Sequence, residues 1–439
     1  SEQWPEDWWS ALCAAAHQLD LCDVAAVSIG GQGHGLVALD ASGKAVRPAK
    51  LWNDTTASDE ARELVGLLGA EAWARRTGIV PTSAITVAKL LWLRRHEPEA
   101  YERTTRVLLP PGYLTNRLTG AFVTDRSEGA GSGFMEAAAS SWDTTVLDLV
   151  DPDRDWTSIL PRVAGPAEVV GTISPEAARD TGFPAGIVVG PGANDQPVNA
   201  LALGVVGDEV IISLGTSGTV SVRSPAPVVD GSGAVQSVAD AAGAYRPLVC
   251  TQNATRVTDA FAALLGVDHD GLAGLALTAP PDPDRPILLP YLEGERTPDR
   301  PNATGSITGL RTDTTREALA RASFEGVLCG LLDGLDRLHE VGAPIGGRLI
   351  LTGGGAKSVA YRQLAADLAG QPVFVGEMDE TSARGAAVQA AAILHDASVD
   401  EVVLAWAPPL REVASPRPDQ GSMELRARYR HLAELPGLD

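Results

Sequence analysis

Asp195 stands in the run Gly192-Ala193-Asn194-Asp195-Gln196, where an apolar strand predicted over 186–190 gives way to a helical pattern reaching Leu201. A carboxylate placed there has two uses. The commoner one is to cap the helix by accepting its free amides. The other is to accept the proton of a hydroxyl, a poor nucleophile, while a γ-phosphoryl group transfers to it. Asp needs little pKa tuning for that task, because aligned donors and Mg²⁺ supply most of the stabilisation. Upstream, Gly30-Gly31-Gln32-Gly33-His34-Gly35 is a strand end where glycines bring backbone close to a neighbour while Gln32 and His34 offer polar side chains. It reads equally as a glycine-rich turn with one satisfied histidine. Leu51-Trp52-Asn53-Asp54 adds an aromatic face and an amide, the pairing that suits the C–H and hydroxyl faces of a sugar.

Two further loops suit an anion. Ser213-Leu214-Gly215-Thr216-Ser217-Gly218 breaks a β-rich run with small residues that leave N–H groups and hydroxyls free, although the same residues make an ordinary hairpin tip. Leu351-Thr352-Gly353-Gly354-Gly355-Ala356-Lys357-Ser358 joins a strand to a helix through glycines that let backbone approach a ligand. It is not a Walker loop, since Ala356 separates Lys357 from the last glycine. It is a poor dinucleotide fingerprint, since Ser358 stands in place of the third glycine, but Glu377 lies near the expected acidic position and keeps an NAD-dependent oxidoreductase as a rival reading. A plain tight turn is the third. Tyr291-Leu292-Glu293-Gly294-Glu295-Arg296-Thr297-Pro298 reads as a salt-bridged surface loop with no assignable role. The seven histidines are scattered without HExxH, and Asp268-His269-Asp270 reads as a polar loop, so no metal cluster is expected.

The elements that must position these residues come in two runs. The pattern predicts a helix from Trp8 through Leu19, strands over 24–29 and 35–40, helices over 56–68, 87–95 and 113–118, and the strand over 186–190. A second cycle has a hairpin over 209–222, a helix ending near Leu265, a long helix over 315–340, strands over 348–352 and 372–375, and helices over 357–368 and 382–394. Two α/β domains with a boundary near 204–208 follow. The 439 residues, 44% hydrophobic, suffice for two cores. The net charge of −21 repels nucleic acid and anionic membranes. It repels ATP too, so any phosphate must be held by local N–H groups and Mg²⁺. Four cysteines without CxxC pairing, no apolar stretch of about 20 residues and no basic-then-apolar leader favour a soluble protein of the reducing cytoplasm.

In this order, the runs resemble the FGGY carbohydrate kinases of the actin-like ATPase superfamily over nearly the whole chain. Thr86-Val87-Ala88-Lys89-Leu90-Leu91-Trp92-Leu93 looks like that family's first signature, and Gly305-Ser306-Ile307-Thr308-Gly309-Leu310 followed by Ala322-Ser323-Phe324-Glu325-Gly326 looks like its second. The resemblance implies an α/β chain of two ribonuclease-H-like (actin-like ATPase) domains with an interdomain active-site cleft. Residues 1–206 would bind the sugar and carry the base, and 207–439 would carry the nucleotide loops. It makes Asp195 the proton acceptor, with Mg²⁺ near it through a bound water. Gly33, His34, Gln196, Trp52 and Asn53 become the sugar contacts. Gly215, Thr216 and Ser217 with Gly353, Gly354, Gly355, Ala356 and Ser358 become the ATP contacts. The implied reaction is ATP plus D-xylulose giving ADP plus D-xylulose 5-phosphate, with sugar and ATP as partners and a homodimer compatible with it. The alternatives are a ribulokinase-like sugar or polyol kinase and a non-catalytic actin-like sugar or nucleotide binder.

Gly33 stands where xylulose-phosphorylating members often have a larger side chain such as Met, and Gln196 where they have Asn. Members also begin with a strand and an Asp-x-Gly-Thr-type loop for phosphate and metal. None precedes Ser1, and Glu2 to Leu12 resembles the segment after it. A polypeptide lacking that loop is expected to turn over weakly or not at all.

Overall fold

The computed structural model describes residues 1–280, 282–378, 380–418 and 420–435. The chain divides into two compact units, each discontinuous in sequence. The first comprises 1–206, 224–246 and 378–408, and the second 207–223, 247–377 and the residues from 409.

In the first unit the strand predicted over 24–29 is realised as two short pieces. Ala26–Val27 pairs in parallel with Val188–Val189, and Gly30–Gly31 in parallel with Ala193–Asn194. The break between them is set by Gly192, whose φ of 85° is left-handed and whose Cβ, were there one, would sit 3.0 Å from the Ile29 carbonyl oxygen. Gly171–Thr172 adds an antiparallel edge, and Val37–Leu39 pairs with Arg106–Leu108. The helix Asp195–Ala202 lies against Thr381–His395 so closely that a Cβ on Gly385 would come within 1.8 Å of the Val198 carbonyl oxygen. Val198, Leu201, Ala386, Val388 and Ala391 are buried in that contact.

The opening helix, Pro5–Ala16, starts on a proline with Glu6 and Asp7 in its first turn, which suits the free amides and the positive end of the helix dipole. It ends one turn before Leu19, which is exposed, because Gln18 and Leu19 close on Ala15 and Ala16 in tighter turns.

The second unit is built on a sheet whose Val210–Leu214 strand has Gly218–Val222 antiparallel on one side and Leu349–Thr352 parallel on the other. Beyond these lie Tyr245–Thr251 on the first side and Val373–Gly376 then Leu410–Ala414 on the second. The 25-residue helix Arg316–Glu340, capped by Thr315, packs on it. Inside that helix Glu325 pairs with Arg321 and with Arg285, all three almost wholly buried, so each charge keeps hydrogen-bonded partners that offset its lost hydration. Asp268-His269-Asp270 is not a loop. Asp268 accepts the Gly271 amide at 2.8 Å and caps the helix His269–Thr278, the use short polar side chains have before an apolar run. No single helix among the described residues is long and apolar enough to cross a membrane. The four cysteines are free thiols.

Two glycines separate tight packing from mere permissiveness. Gly385→Ala must push two helices apart and should cost about 1–3 kcal/mol. Gly66→Ala, in the helix Ser58–Leu68 with nothing within 4 Å, should stabilise by about 0.5–1 kcal/mol. Urea midpoints that move in the same direction for both variants would contradict this packing.

Candidate functional site

Parallel pairing of Gly30–Gly31 with Ala193–Asn194 ends two strands side by side, so the turn carrying Gly33 and His34 emerges beside the helix that begins at Asp195. Ligand-bearing residues at adjoining strand ends are the usual arrangement in α/β folds. Asn194, not Asp195, caps that helix: its Oδ1 accepts the Gln196 amide at 3.2 Å. Asp195 is left as a first-turn carboxylate, partly exposed. Burial pushes it up to about 6, with the Gln196 amide pulling the other way.

The neighbouring helix Arg126–Gly131 is capped by Asp125, which accepts the amides of Ser127 and Glu128. Ser127 Oγ donates to Asp125 at 2.5 Å and accepts the Asn194 amide at 3.0 Å, so the two helix starts are tied by one hydroxyl. His34 adopts a left-handed φ of 63°, and its Nδ1 lies 2.6 Å from the Gly131 carbonyl. The His34 carbonyl accepts from Thr86 Oγ1 at 3.0 Å and from Lys89 Nζ at 2.7 Å, and Lys89 also reaches the Ala84 carbonyl. The turn is thereby held at both ends. Lys89 is fully buried, which brings it down to about 7. Glu128 is fully buried as well. Burial, then the charges of Asp125 and Asp195, raise it well above the usual carboxylate range. The Asn194 amide faces it and draws it slightly down, yet neither Glu128 oxygen accepts a well-formed hydrogen bond from the described residues.

In the second unit, the Val210–Leu214 hairpin closes through Gly215 N–H to Ser217 O, and its tip is fastened by the Ala254 and Thr255 amides donating to the carbonyls of Thr216 and Gly215. Gly353, with φ of 82°, packs where a Cβ would lie 2.7 Å from the Leu214 carbonyl oxygen, and Gly355 touches Leu214 and Thr255 as closely. Gly354 faces open space. The glycines bring the 353–355 turn against the hairpin, and a single 3₁₀ turn, Gly354–Lys357, precedes the helix Val359–Ala369. Between them lies a cavity of about 540 Å³ whose walls include Gly215, Thr216, Gly354, Gly355, Ser358 and Tyr361, with Asp259 and Asp270 also on its walls. Ser358 Oγ is buried there without a hydrogen-bond partner among the described residues. Backbone N–H groups, an orphaned hydroxyl and carboxylates able to accept ribose hydroxyls suit a nucleotide. Among the described residues no three His, Cys, Asp or Glu side chains gather as a metal site.

Of the residues singled out in the sequence, Gly33, His34, Asp195 and Gln196 are brought together at the two strand ends. Trp52 and Asn53 follow the strand Ala49–Lys50 on a solvent-facing turn. Gly215, Thr216, Gly354, Gly355 and Ser358 line the cavity, whereas Ser217, Gly353 and Ala356 lie outside its lining. Lys89, Glu128 and the cap at Asn194 escaped sequence reasoning. The available signal was an ionisable residue inside each of two otherwise apolar or small-residue runs, Thr86 to Leu93 and Glu128 to Gly133.

One unit places a carboxylate at adjoining strand ends, and the other sets glycine loops around a cavity of about 540 Å³. Residues 1–202 match the N-terminal domain of the FGGY family of carbohydrate kinases and 210–394 its C-terminal domain, so the chain belongs to that family. This sets aside the NAD-dependent reading. The xylulose kinase of Streptomyces coelicolor is 42% identical over 409 residues, covering 92% of this chain and 82% of that protein. The crystal structure of the xylulose kinase from Bifidobacterium adolescentis superposes with a TM-score of 0.88 at 36% identity, covering 98% of this chain and 92% of that one. The glycerol kinase of Plasmodium falciparum shares the fold, with a TM-score of 0.86 at 18% identity, over 98% of this chain and 89% of that one.

Ser127→Ala tests the hydroxyl that ties the two helix starts. It leaves the buried Asn194 amide without an acceptor and should lower unfolding free energy by about 1–3 kcal/mol. A denaturation midpoint equal to the parental one would show that this bond holds nothing.

Proposed function

We propose that this kinase transfers the γ-phosphoryl group of ATP to a hydroxyl of D-xylulose, giving D-xylulose 5-phosphate, with Asp195 as general base. The observation that carries the reading is the placement of a partly exposed carboxyl, pushed up to about 6, beside the His34 turn. A base whose pKa lies near the working pH combines an ionised resting form with a useful driving force for proton uptake. The sugar itself is argued from the xylulose kinases that this chain resembles at 42% identity. The shared glycerol kinase fold makes no choice among sugars and polyols.

In this reading the ketose lies against His34 and Gln196, with Trp52 and Asn53 at the exposed side. Thr216, Gly354 and Gly355 hold the nucleotide through backbone N–H groups and Ser358 through its hydroxyl, local donors of the kind that a chain of net charge −21 needs for an anion. Mg²⁺, brought by the nucleotide, would supply neutralisation of the charge that develops on the phosphates, with Asp195 as the residue of this site able to face it. Asp195 accepts the hydroxyl proton as the new O–P bond forms and ADP leaves.

An ADP-release assay of the full-length protein over pentuloses, pentoses and polyols should give D-xylulose the highest kcat/KM. A pentose or polyol ahead of it would replace the sugar while leaving the reaction class. Asp195→Asn should lower kcat by about 10²–10⁴-fold. In the parental protein Asp195 is protonated below its raised pKa and cannot accept the proton. Hence kcat/KM should be level above about 6 and fall about tenfold per pH unit below it. A flat profile down to about pH 4, where an unperturbed Asp titrates, would show that burial does not raise the base.

A further inference from the structure

Gly33 was read from the sequence as a sugar contact, yet its surroundings give it another task. A Cβ built on Gly33 would lie 2.0 Å from Asn194 Nδ2, 3.0 Å from Asn194 Cγ and 3.3 Å from Glu128 Oε1. The space a side chain would take at position 33 is therefore already filled, from the opposite strand end, by the Asn194 amide. Gly33 and Asn194 are both buried. Asn194 is also committed at two points: its main-chain N–H donates to Ser127 Oγ at 3.0 Å, and its Oδ1 accepts the Gln196 amide at 3.2 Å. A Cβ on Gly131 would in turn be 3.8 Å from the same Nδ2, so the amide sits between two glycines.

We propose that Gly33 is a positioning residue for Asp195, acting through Asn194: its missing side chain is the space in which the Asn194 amide sits while it caps the helix that begins at Asp195. The inference rests on reading Asp195 as the base. Any Cβ at position 33 makes Asn194 rotate away, which releases the Gln196 amide and loosens the first helical turn, where Asp195 is the next residue along. Loss of such a cap weakens a helix start. Displacing a base by a fraction of its hydrogen-bond length is felt in kcat before it is felt in binding. A direct sugar contact at Gly33 has the opposite signature, a change in KM and affinity with kcat kept.

The test compares the parental full-length protein with Gly33→Ala, Asn194→Ser and the double variant, by steady-state kinetics and by calorimetric titration with D-xylulose. Serine still caps a helix but is shorter than asparagine and leaves room for the alanine methyl. Gly33→Ala should lower kcat by about tenfold or more while xylulose affinity stays within about threefold. Gly33→Ala with Asn194→Ser should return kcat to within about threefold of Asn194→Ser alone, because the displaced group is gone. A Gly33→Ala protein with parental kcat, one whose defect lies in KM and affinity alone, or a double variant no better than Gly33→Ala would each overturn the proposal. If Gly33→Ala does not fold, the double variant decides: folded with the kcat of Asn194→Ser supports it, and unfolded or inactive overturns it. Asp195→Asn is assayed alongside. Parental kcat in that variant would refute the base reading itself, whereas a large loss there with a silent Gly33→Ala refutes only the role given to Gly33.

Discussion

Two residue pairs, Gly30 with Ala193 and Gly31 with Asn194, set where the His34 turn and the helix start at Asp195 emerge. So short a parallel ladder has little stability of its own. It persists because its flanks are over-determined. Gly192 turns in a conformation open to glycine, the Ala193 amide reaches Ile29, the Asn194 amide reaches Ser127, and the helix that follows is wedged against a second helix at Gly385. Each of these fixes where two strands stop. The site is what emerges at that stopping point: a turn carrying His34 on one side and a helix start carrying Asp195 on the other.

Charge is handled around it by withholding ionisation rather than by pairing. Asp125, Glu128 and Asp195 are all raised by burial, and the cation near Glu128, Lys89, is itself brought down and spent on two carbonyls. An interior of that kind cannot sustain three carboxylates at once, since each added negative charge makes the next harder to form. Asp195 keeps some solvent contact, while Glu128 is sealed, and burial holds its carboxyl well above the usual range. The second unit shows a related economy, with glycines removing Cβ atoms so that main-chain groups of two loops approach one cavity.

Much of this was legible in the chain. The alternation of strands and helices announced two α/β domains, and the long helix, the Val210 hairpin and the glycine turn at 353 lie where periodicity and turn residues put them. Those are local properties: the 3.6-residue period, β-branched runs and the demand for glycine at tight turns act over a few neighbours. Departures arose where one local signal competed with another. Leu19 matched the helix period but falls beyond a chain reversal, and Asp268 looked like loop polarity while serving as a cap.

The sequence by itself determined the family and the reaction class, because these rest on residue types at fixed spacing along the chain. Tertiary structure alone decided which side chains share a space. That Gly33 packs against Asn194, that Lys89 holds the His34 turn and that Glu128 lies buried beside them are facts about residues far apart in sequence. No period or propensity links such pairs. They are set by strand pairing and close packing, where a single Cβ is enough to exclude a neighbour.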